Sequence, residues 1–361
     1  MYLITNRAMT NSKGLKAFGK TPNTKGPNEL RLVKVTKAGN SWTVATVGDR
    51  LTAKRARELK ATYGLDIDAR SPWHGSFEIA CELFSQARKE KKSILFFVHG
   101  YNNDVADVLA AAEAIEALYN VIVVPFTWPA NGGGAISGTA SYLSDKGDAR
   151  ASAGALNRAI GKIQEFHTVL TRAQNKKLQQ VATAKHPDNP MRAATLYTEL
   201  QEKECPVKIS LLCHSMGNYV FKHTFATSEN ASSTLTFDNV CLVAADTNSA
   251  NHMQWVGQLD VRKRVYVVIN ENDSALKASR IKPGDEQRAR LGHYLKQLNS
   301  PNACYIDITD LPHVGAEHTY FKGDTVAKNK QLKALFDGMF NGKAVEEKLN
   351  YRADNNTYRL P

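Results

Sequence analysis

The sequence predicts an α/β fold with a mostly parallel β-sheet that carries helices on both faces. Two continuous apolar runs, SILFFVHG (93–100) and VIVVPFTW (121–128), have the character of strands buried on both faces. An alanine-rich stretch at about 104–119 separates them and predicts a helix. The same alternation of strand and helix recurs later in the chain, which is typical of a parallel sheet covered on both sides.

The first ninety or so residues precede this regular alternation. Residues 2–6 (YLITN) predict a first strand, and 30–49 predict two strands joined by a tight turn, an antiparallel hairpin. A helix at 51–64 is expected to end at its terminal glycine, and a second helix at about 76–90 carries its apolar residues on one face. The fold class therefore includes antiparallel strands near the amino terminus.

The segment 130–206 is long for a single crossover between two strands. It opens with the glycine-rich stretch NGGGAISG (131–138), continues as a helical pattern from about 142 to 182, breaks at HPDNP (186–190) and resumes as a shorter helix. We predict that 130–206 forms a mobile helical cap over a pocket, with the glycine-rich stretch as its flexible rim.

The rest of the chain returns to strands and helices, with no internal repeat. Strands are predicted at 207–213, 239–245, 264–270 and 303–309, with helices from Gly217 and at about 325–340. These elements favour one domain over residues 1–340, followed by a carboxyl-terminal tail at 341–361.

The composition limits which binding partners and which cellular compartment are expected. The chain has a net charge of +12 at pH 7, which supports weak attraction to nucleic acid or anionic lipid. The lysines and arginines are dispersed, however, without the aromatic interleaving of a nucleic-acid-binding module. The start of the chain is a poor secretory signal, and five scattered cysteines do not form a disulfide framework. A cytoplasmic location is therefore expected.

The stretch LLCHSMGNY (211–219) contains a candidate nucleophile, Ser215. It lies between a predicted apolar strand and the helix from Gly217, where a tight turn can project a serine hydroxyl above the sheet. Cys213 stands where a first glycine is expected in such a turn. A serine at this position is also a common helix cap, so the stretch alone does not establish catalysis.

A second strand end, VHGYNND (98–104), faces the same edge of the predicted sheet. Gly100 allows the backbone to approach a substrate, so the N–H groups of Tyr101 and Met216 could form an oxyanion hole. The simpler interpretation is a strand-to-helix turn in which Asn103 or Asp104 caps the next helix. The two interpretations are compatible.

Two other chemistries are less well supported by the sequence. A metal site could be imagined from His313 and His318 with His214 or His223, but no metal-binding motif is present. Cys213 lies inside the predicted strand, so it is a weaker candidate nucleophile than Ser215. No cofactor is implied.

Taken together, these stretches resemble the α/β-hydrolase superfamily, within it an uncharacterised and largely bacterial branch of serine hydrolases. The matching stretches, in chain order, are YLITNR, FFVHGYNN, FTWP, LLCHSMGN, INENDSALKAS and EHTYF. The resemblance implies an α/β-hydrolase fold and a triad in the order serine, acid, histidine. It does not define the substrate, because this fold supports many chemistries.

The resemblance implies Ser215 as the nucleophile and an acid after the second strand beyond it. Asp273 follows that strand and is the predicted acid, with Asp246 as the alternative. The base is expected after the last strand, where His313 and His318 both qualify. His318 is preferred because the resemblance falls on HTYF, whereas His313 directly follows a proline.

The predicted function is that of a serine hydrolase that cleaves an ester, thioester or amide through an acyl-enzyme. The substrate would be a small molecule or a lipid ester. Two alternatives remain at this stage: a non-catalytic α/β-hydrolase scaffold that binds a partner, and a lipase-like enzyme whose basic surface docks on an anionic membrane.

Overall fold

The computed structural model describes residues 1–39, 41–130, 138–204, 207–224, 234–281 and 289–361. The strands are β1 (Tyr2–Thr5), β2 (Arg7–Met9), β3 (Phe18–Pro22), β4 (Arg31–Ala38), β5 (Ser41–Thr46), β6 (Ser93–Val98), β7 (Val121–Thr127), β8 (Ile209–His214), β9 (Asn239–Val243), β10 (Arg264–Ile269), β11 (Ala303–Asp307), β12 (Asn350–Arg352) and β13 (Thr357–Arg359). The helices are α1 (Ala53–Tyr63), α2 (Gly75–Glu90), α3 (Val105–Leu118), α4 (Gly138–Ala151), α5 (Ala153–Lys185), α6 (Pro190–Glu204), α7 (Gly217–Thr224), α8 (Met253–Val256), α9 (Ser274–Ile281), α10 (Asp324–Lys328) and α11 (Lys330–Phe340).

Eleven of these strands form one sheet in the order β12-β13-β11-β10-β9-β8-β6-β7-β1-β4-β5, and β2 pairs with β3 in a second, small sheet. The strands from β1 to β11 in this order pair in parallel, whereas the β4–β5 hairpin joins β1 antiparallel. The mostly parallel sheet and the amino-terminal antiparallel strands are confirmed.

The central strands are buried along their whole length because helices cover both faces. Every residue of β6, β7, β8 and β9 is buried. Successive side chains of a strand point to opposite faces, so Phe96 belongs to one apolar cluster and Phe97 to another. Helices α2, α5 and α7 contribute to the first cluster, and α3 and α11 to the second. The prediction of helices on both faces is confirmed.

The segment 130–206 consists of α4, α5 and α6 in its described part. Helix α5 packs against α2 and α7 and buries Leu156, Ile160 and Phe166 in the main apolar core. The buried apolar residues of α5 pack in the same cluster as the strand residues of one face. Helix α5 therefore covers that face of the sheet. Among the described side chains of this segment, Tyr142 of α4 borders the site described below. The mobility of a cap stays a prediction, and its glycine-rich rim at 131–137 lies outside the described residues.

The carboxyl-terminal residues extend the sheet, which differs from the predicted separate tail. Strand β13 pairs in parallel with β11, and β12 pairs antiparallel with β13. Arg359 forms an ion pair with the buried carboxylate of Asp307, and Thr357 is fully buried. The short strands carry little apolar character, which is why their place in the sheet was not evident from the sequence.

Candidate active site

The turn between β8 and α7 holds Ser215 in an unusual backbone conformation. Its φ is 53°, in the left-handed region that residues with a side chain adopt rarely. Two backbone hydrogen bonds hold it there: the Ser215 N–H donates to Val243 O at 3.1 Å, and the Asp246 N–H donates to Ser215 O at 3.2 Å. A strained residue that its surroundings fix in this way is a common feature of functional sites.

Two glycines permit the close approaches that this turn requires. A Cβ on Gly100 would lie 2.7 Å from the Ser215 Cβ, and one on Gly217 would lie 2.5 Å from Val98 O. Cys213, by contrast, packs in the core between β6 and β9, so its position does not require glycine. Burial raises the pKa of the Cys213 thiol well above its usual value, which disfavours the nucleophilic thiolate.

Asp273 and His318 form a hydrogen-bonded pair. Asp273 is fully buried, and its Oδ2 lies 2.7 Å from His318 Nδ1. Its other oxygen, Oδ1, accepts a hydrogen bond from the Leu276 N–H at 2.9 Å, which caps α9. A carboxylate only accepts, so Nδ1 is the protonated nitrogen, and Nε2 of the neutral ring is left as the basic one.

The loop that carries His318 is anchored on both sides of the histidine. Asn270 Nδ2 donates to Gly315 O and Glu317 O at 3.0 and 3.1 Å. The buried Tyr320 donates from its hydroxyl to Val268 O at 3.1 Å and accepts from the Ala244 N–H at 2.9 Å. The position of His318 is therefore tied to the ends of β9 and β10.

The alternative acid, Asp246, has different partners. Its Oδ1 accepts from Ser279 Oγ at 2.6 Å and lies 3.1 Å from Arg290 Nε, and its Oδ2 accepts from Tyr142 OH at 3.0 Å. Arg290 and Asp246 are both almost fully buried, so the two charges compensate each other. This network joins α4, through Tyr142, to the end of β9.

The alternative base, His313, lies away from these groups. It is exposed at the surface, in the left-handed region at a φ of 68°. Of the two histidines after the last predicted strand, only His318 borders the cavity at Ser215.

A cavity of about 1030 Å³ opens at the carboxyl end of the parallel strands, bordered by Ser215 and His318. Its wall combines polar residues (Tyr101, Asn102, Asn103, Asp104, Asp107, Tyr142, Asp246, Ser279 and Lys322) with apolar ones (Phe97, Ala110, Ala111, Ala275, Leu276, Ala278 and Phe321). Met216 is buried and packs in the main core, while its backbone forms the turn into α7. The sheet edge thus brings Ser215, Asp273, His318, Tyr101 and Met216 into one region.

A buried histidine that sequence reasoning missed orients the peptide after Gly100. His99 Nε2 accepts from the Trp128 N–H at 3.2 Å, so the ring proton is on Nδ1, which donates to Gly100 O at 2.9 Å. In a trans peptide the C=O and N–H point in opposite directions, so the Tyr101 N–H points away from His99. Burial, with a smaller effect of Arg7, lowers the pKa of His99 to about 3, which keeps the ring neutral.

Two other residues support these turns and were also missed. Arg7, almost fully buried, donates to Asn103 O at 3.2 Å and to Ala130 O at 2.9 Å. Asn218 Nδ2 lies within hydrogen-bond distance of Cys213 O, Ser215 O and Val243 O, at 3.0 to 3.2 Å. Arg7 directly follows the first apolar run of the sequence, whereas Asn218 lies in the first turn of α7 and no local signal distinguishes it.

We expect His99→Phe to slow phosphonylation of the candidate nucleophile Ser215 by about 10²-fold, the scale of losing one oxyanion-hole donor. Phenylalanine can keep the stacking on Trp128 but releases the Gly100 carbonyl. The measurement is the second-order rate of labelling by a fluorophosphonate probe. Trp128→Phe is the comparison variant, since it removes the indole bond to His99 O and part of a buried ring but keeps the His99 contact with the Gly100 carbonyl. Equal slowing in both variants would contradict the orienting role of His99.

Several histidines have lowered pKa values, so the folded protein is expected to lose stability in mild acid. Burial lowers the pKa of His99 to about 3 and that of His167 and His223 to about 4. The unfolded chain, with a histidine pKa of about 6.5, binds protons first as the pH falls. The free energy of unfolding should therefore be highest above pH 6.5 and decline below it, by about 1 kcal/mol at pH 5.5 for a fully buried histidine such as His99.

Urea unfolding at pH 8.5, 7.5 and 5.5 tests this expectation. Little change is expected between the two higher values and a clear decrease at the lowest, with a smaller decrease in His99→Phe. A free energy of unfolding that is the same at pH 7.5 and 5.5 would contradict it.

The structure gives no support to a metal site in the part of the chain that it describes. No group of three or more histidine, cysteine, aspartate or glutamate side chains there is arranged to hold a metal ion. His223 instead packs against the Tyr219 ring, at 4.4 Å between ring centroids. Within the same described ranges, no helix is long and apolar enough to cross a membrane.

The order of the central strands and the turn at Ser215 define an α/β-hydrolase scaffold. The family model described as "Alpha/beta hydrolase of unknown function (DUF900)" matches residues 78–173 and 189–335, more than half of the chain. The chain belongs to this α/β-hydrolase family, which confirms the resemblance seen in the sequence. No curated protein matches it.

Proposed function

We propose that the protein is a serine hydrolase that uses Ser215, Asp273 and His318. The observation that carries this proposal is the 2.7 Å contact between Asp273 Oδ2 and His318 Nδ1, at a cavity that the strained Ser215 also borders. A buried carboxylate that fixes the tautomer of a histidine leaves Nε2 as a base for a neighbouring hydroxyl. The α/β-hydrolase scaffold supports this assignment, because the triads of that fold follow the order serine, acid, histidine along the chain.

In the proposed reaction, Ser215 Oγ attacks the substrate carbonyl carbon while its proton passes to His318 Nε2. The carbonyl oxygen becomes an oxyanion, which the N–H groups of Tyr101 and Met216 stabilise. The intermediate collapses as the bond to the leaving group breaks, and His318 returns the proton to that group. Water then attacks the acyl-enzyme by the same route, releasing the acid and restoring Ser215.

The polar groups of the cavity wall suit a substrate with polar substituents. Asp246, Ser279 and Tyr142 bond to one another at this wall. Phe97, Leu276 and Phe321 supply apolar surface beside them, so the cavity suits a small acyl group that also carries polar atoms. Asp104 and Asp107 add negative charge to the wall, and Lys322 adds one positive charge. We therefore infer a small ester, thioester or amide with hydroxyl, amide or cationic substituents.

A panel of chromogenic esters tests this function. We expect kcat/KM for acetyl and hydroxyacyl esters to exceed that for the octanoyl ester, with Ser215→Ala as the background control. Preference for octanoyl would favour the lipase-like alternative. Absence of turnover and of fluorophosphonate labelling in the folded wild type would favour the non-catalytic scaffold.

A further inference from the structure

A second cavity, of about 620 Å³, lies between α2 and α5 on the other face of the sheet. Phe96 borders it, whereas the adjacent Phe97 borders the cavity at Ser215, and neighbouring residues of a strand point to opposite faces. Ile94 and Ile209 also border the second cavity, and both lie at the start of their strands, the opposite end from Ser215. The two cavities are therefore separated by the sheet.

The interior of the second cavity is apolar. Strands contribute Phe96 and Val124 to its floor, and the helices contribute side walls of aliphatic and aromatic residues: Ile79, Leu83, Ile163 and Phe166. A site of this size and lining suits the hydrocarbon part of a ligand, because apolar surface of the ligand and of the wall leaves water together.

The border of the same cavity is cationic on balance. Its charged residues are Arg31, Arg50, Arg158 and Lys162 against Glu29 and Asp49. Glu29 already pairs with Arg31 at 2.8 Å and lies 3.8 Å from Arg158. The excess positive charge therefore favours an anionic group at the border.

Lys162 stands where the apolar interior meets the surface. Its ammonium lies 5.9 Å from the centroid of the Phe166 ring and pairs with Glu165 at 2.5 Å. Both side chains of that ion pair are more than two-fifths exposed, and exposed pairs of this kind contribute little stability. Lys162 can therefore exchange Glu165 for an anionic head group at small cost.

We propose that this cavity binds a single-chain amphiphile with an anionic head, its acyl chain between α2 and α5 and its carboxylate or phosphate at Lys162 and the neighbouring arginines. The site is distinct from the one at Ser215 and does not depend on the proposed hydrolase activity. A free fatty acid and a lipid phosphate share this chemistry.

Isothermal titration below the micelle concentration tests the proposal, with dodecanoate and dodecyl phosphate as the two anionic ligands. Dodecyltrimethylammonium has the same chain with the opposite charge. We expect binding of at least one anion and a Kd for the cation at least about tenfold higher, since the chain is retained while the charge of the head group is reversed. The anion with the lower Kd identifies the ligand class, which is a free fatty acid for dodecanoate and a lipid phosphate for dodecyl phosphate. Equal affinity for the cation, or no binding of either anion, would overturn the proposal.

Two variants locate the site. Ala80→Trp fills the interior, and Lys162→Glu reverses the charge at the border; each should raise the Kd at least about tenfold, because several buried methylenes or the anion contact are lost. Lys176→Glu, an exposed change on the same helix, is the matched control and should leave the Kd unchanged. Lys162→Glu, at the surface, tests the site even if Ala80→Trp does not fold.

Wild-type protein phosphonylated at Ser215 by a fluorophosphonate probe should bind the anion with unchanged affinity. Loss of binding after this treatment would place the ligand in the other cavity and overturn the proposal, as would an unchanged Kd in Lys162→Glu.

Discussion

His318→Ala is expected to reduce the rate of acylation of Ser215 by about 10⁶-fold, the loss seen when the histidine of such a triad is removed. The serine hydroxyl is a weak nucleophile until a base accepts its proton, and His318 is the group that Asp273 orients at the cavity. The measurement is single-turnover release of nitrophenol from an activated ester, with folding checked by the thermal midpoint.

His313→Ala is the matched control. This histidine follows the same strand but is exposed and lies outside the cavity. The acylation rate should stay within about threefold of the wild-type rate, as for a surface change away from the site. If His313→Ala were inactive and His318→Ala active, the base would be assigned to His313. Two active variants would leave the proposed mechanism without its base.

Asp273→Asn is expected to lower turnover by about 10⁴-fold with little change in geometry. An amide at this position can donate to His318 Nδ1 and so place the ring proton on Nε2, the nitrogen that must accept the proton of Ser215. Raising the pH should not restore the activity, because the tautomer and not the net charge is altered. The measurement is kcat for the best ester of the panel.

Asp246→Asn separates the acid from its alternative. The change would remove the buried ion pair between Asp246 and Arg290, and the loss of one partner of such a pair typically costs about 3–5 kcal/mol of unfolding free energy. We therefore expect a clear loss of stability, while the acylation rate per folded molecule remains far above that of Asp273→Asn. A stable Asp246→Asn that is inactive beside an active Asp273→Asn would reverse the assignment.

The core strands could be predicted because continuous apolar runs in the sequence indicate strands that are buried on both faces. Strands β6 and β7 were expected at 93–100 and 121–128 and occupy Ser93–Val98 and Val121–Thr127. The extra predicted residues are His99, Gly100 and Trp128, which directly follow the strand ends and remain buried although they leave the sheet. Candidate residues at these ends could be named because the carboxyl ends of parallel strands meet at one edge of the sheet.

Breaks within helical patterns were harder to predict. One helix was expected at about 325–340, whereas the structure has α10 and α11, separated at Asn329. The Asn329 side chain accepts from the Leu332 N–H at 2.9 Å and so starts a new helix. The apolar period continues through this cap, which is why periodicity alone does not reveal it.

The polar contacts around the site depend on tertiary structure. Nothing in the local sequence indicates that Asp246 pairs with Arg290, or that His99 lies between Trp128 and the Gly100 carbonyl. Each of these contacts joins residues from different elements, so it exists only once the sheet has assembled. From the sequence, the choice between Asp246 and Asp273 depended on the order of the strands. In the structure the two carboxylates differ in their partners, which are Arg290 for Asp246 and His318 for Asp273.

The most direct test of the central claim is covalent labelling of the wild-type protein by a fluorophosphonate, followed by intact-mass measurement and peptide mapping. The account predicts one adduct, on Ser215, and none in Ser215→Ala, whose thermal midpoint should stay close to that of the wild type. An adduct on Cys213 or any other residue, labelling that persists in Ser215→Ala, or a folded wild-type protein that does not react would contradict it.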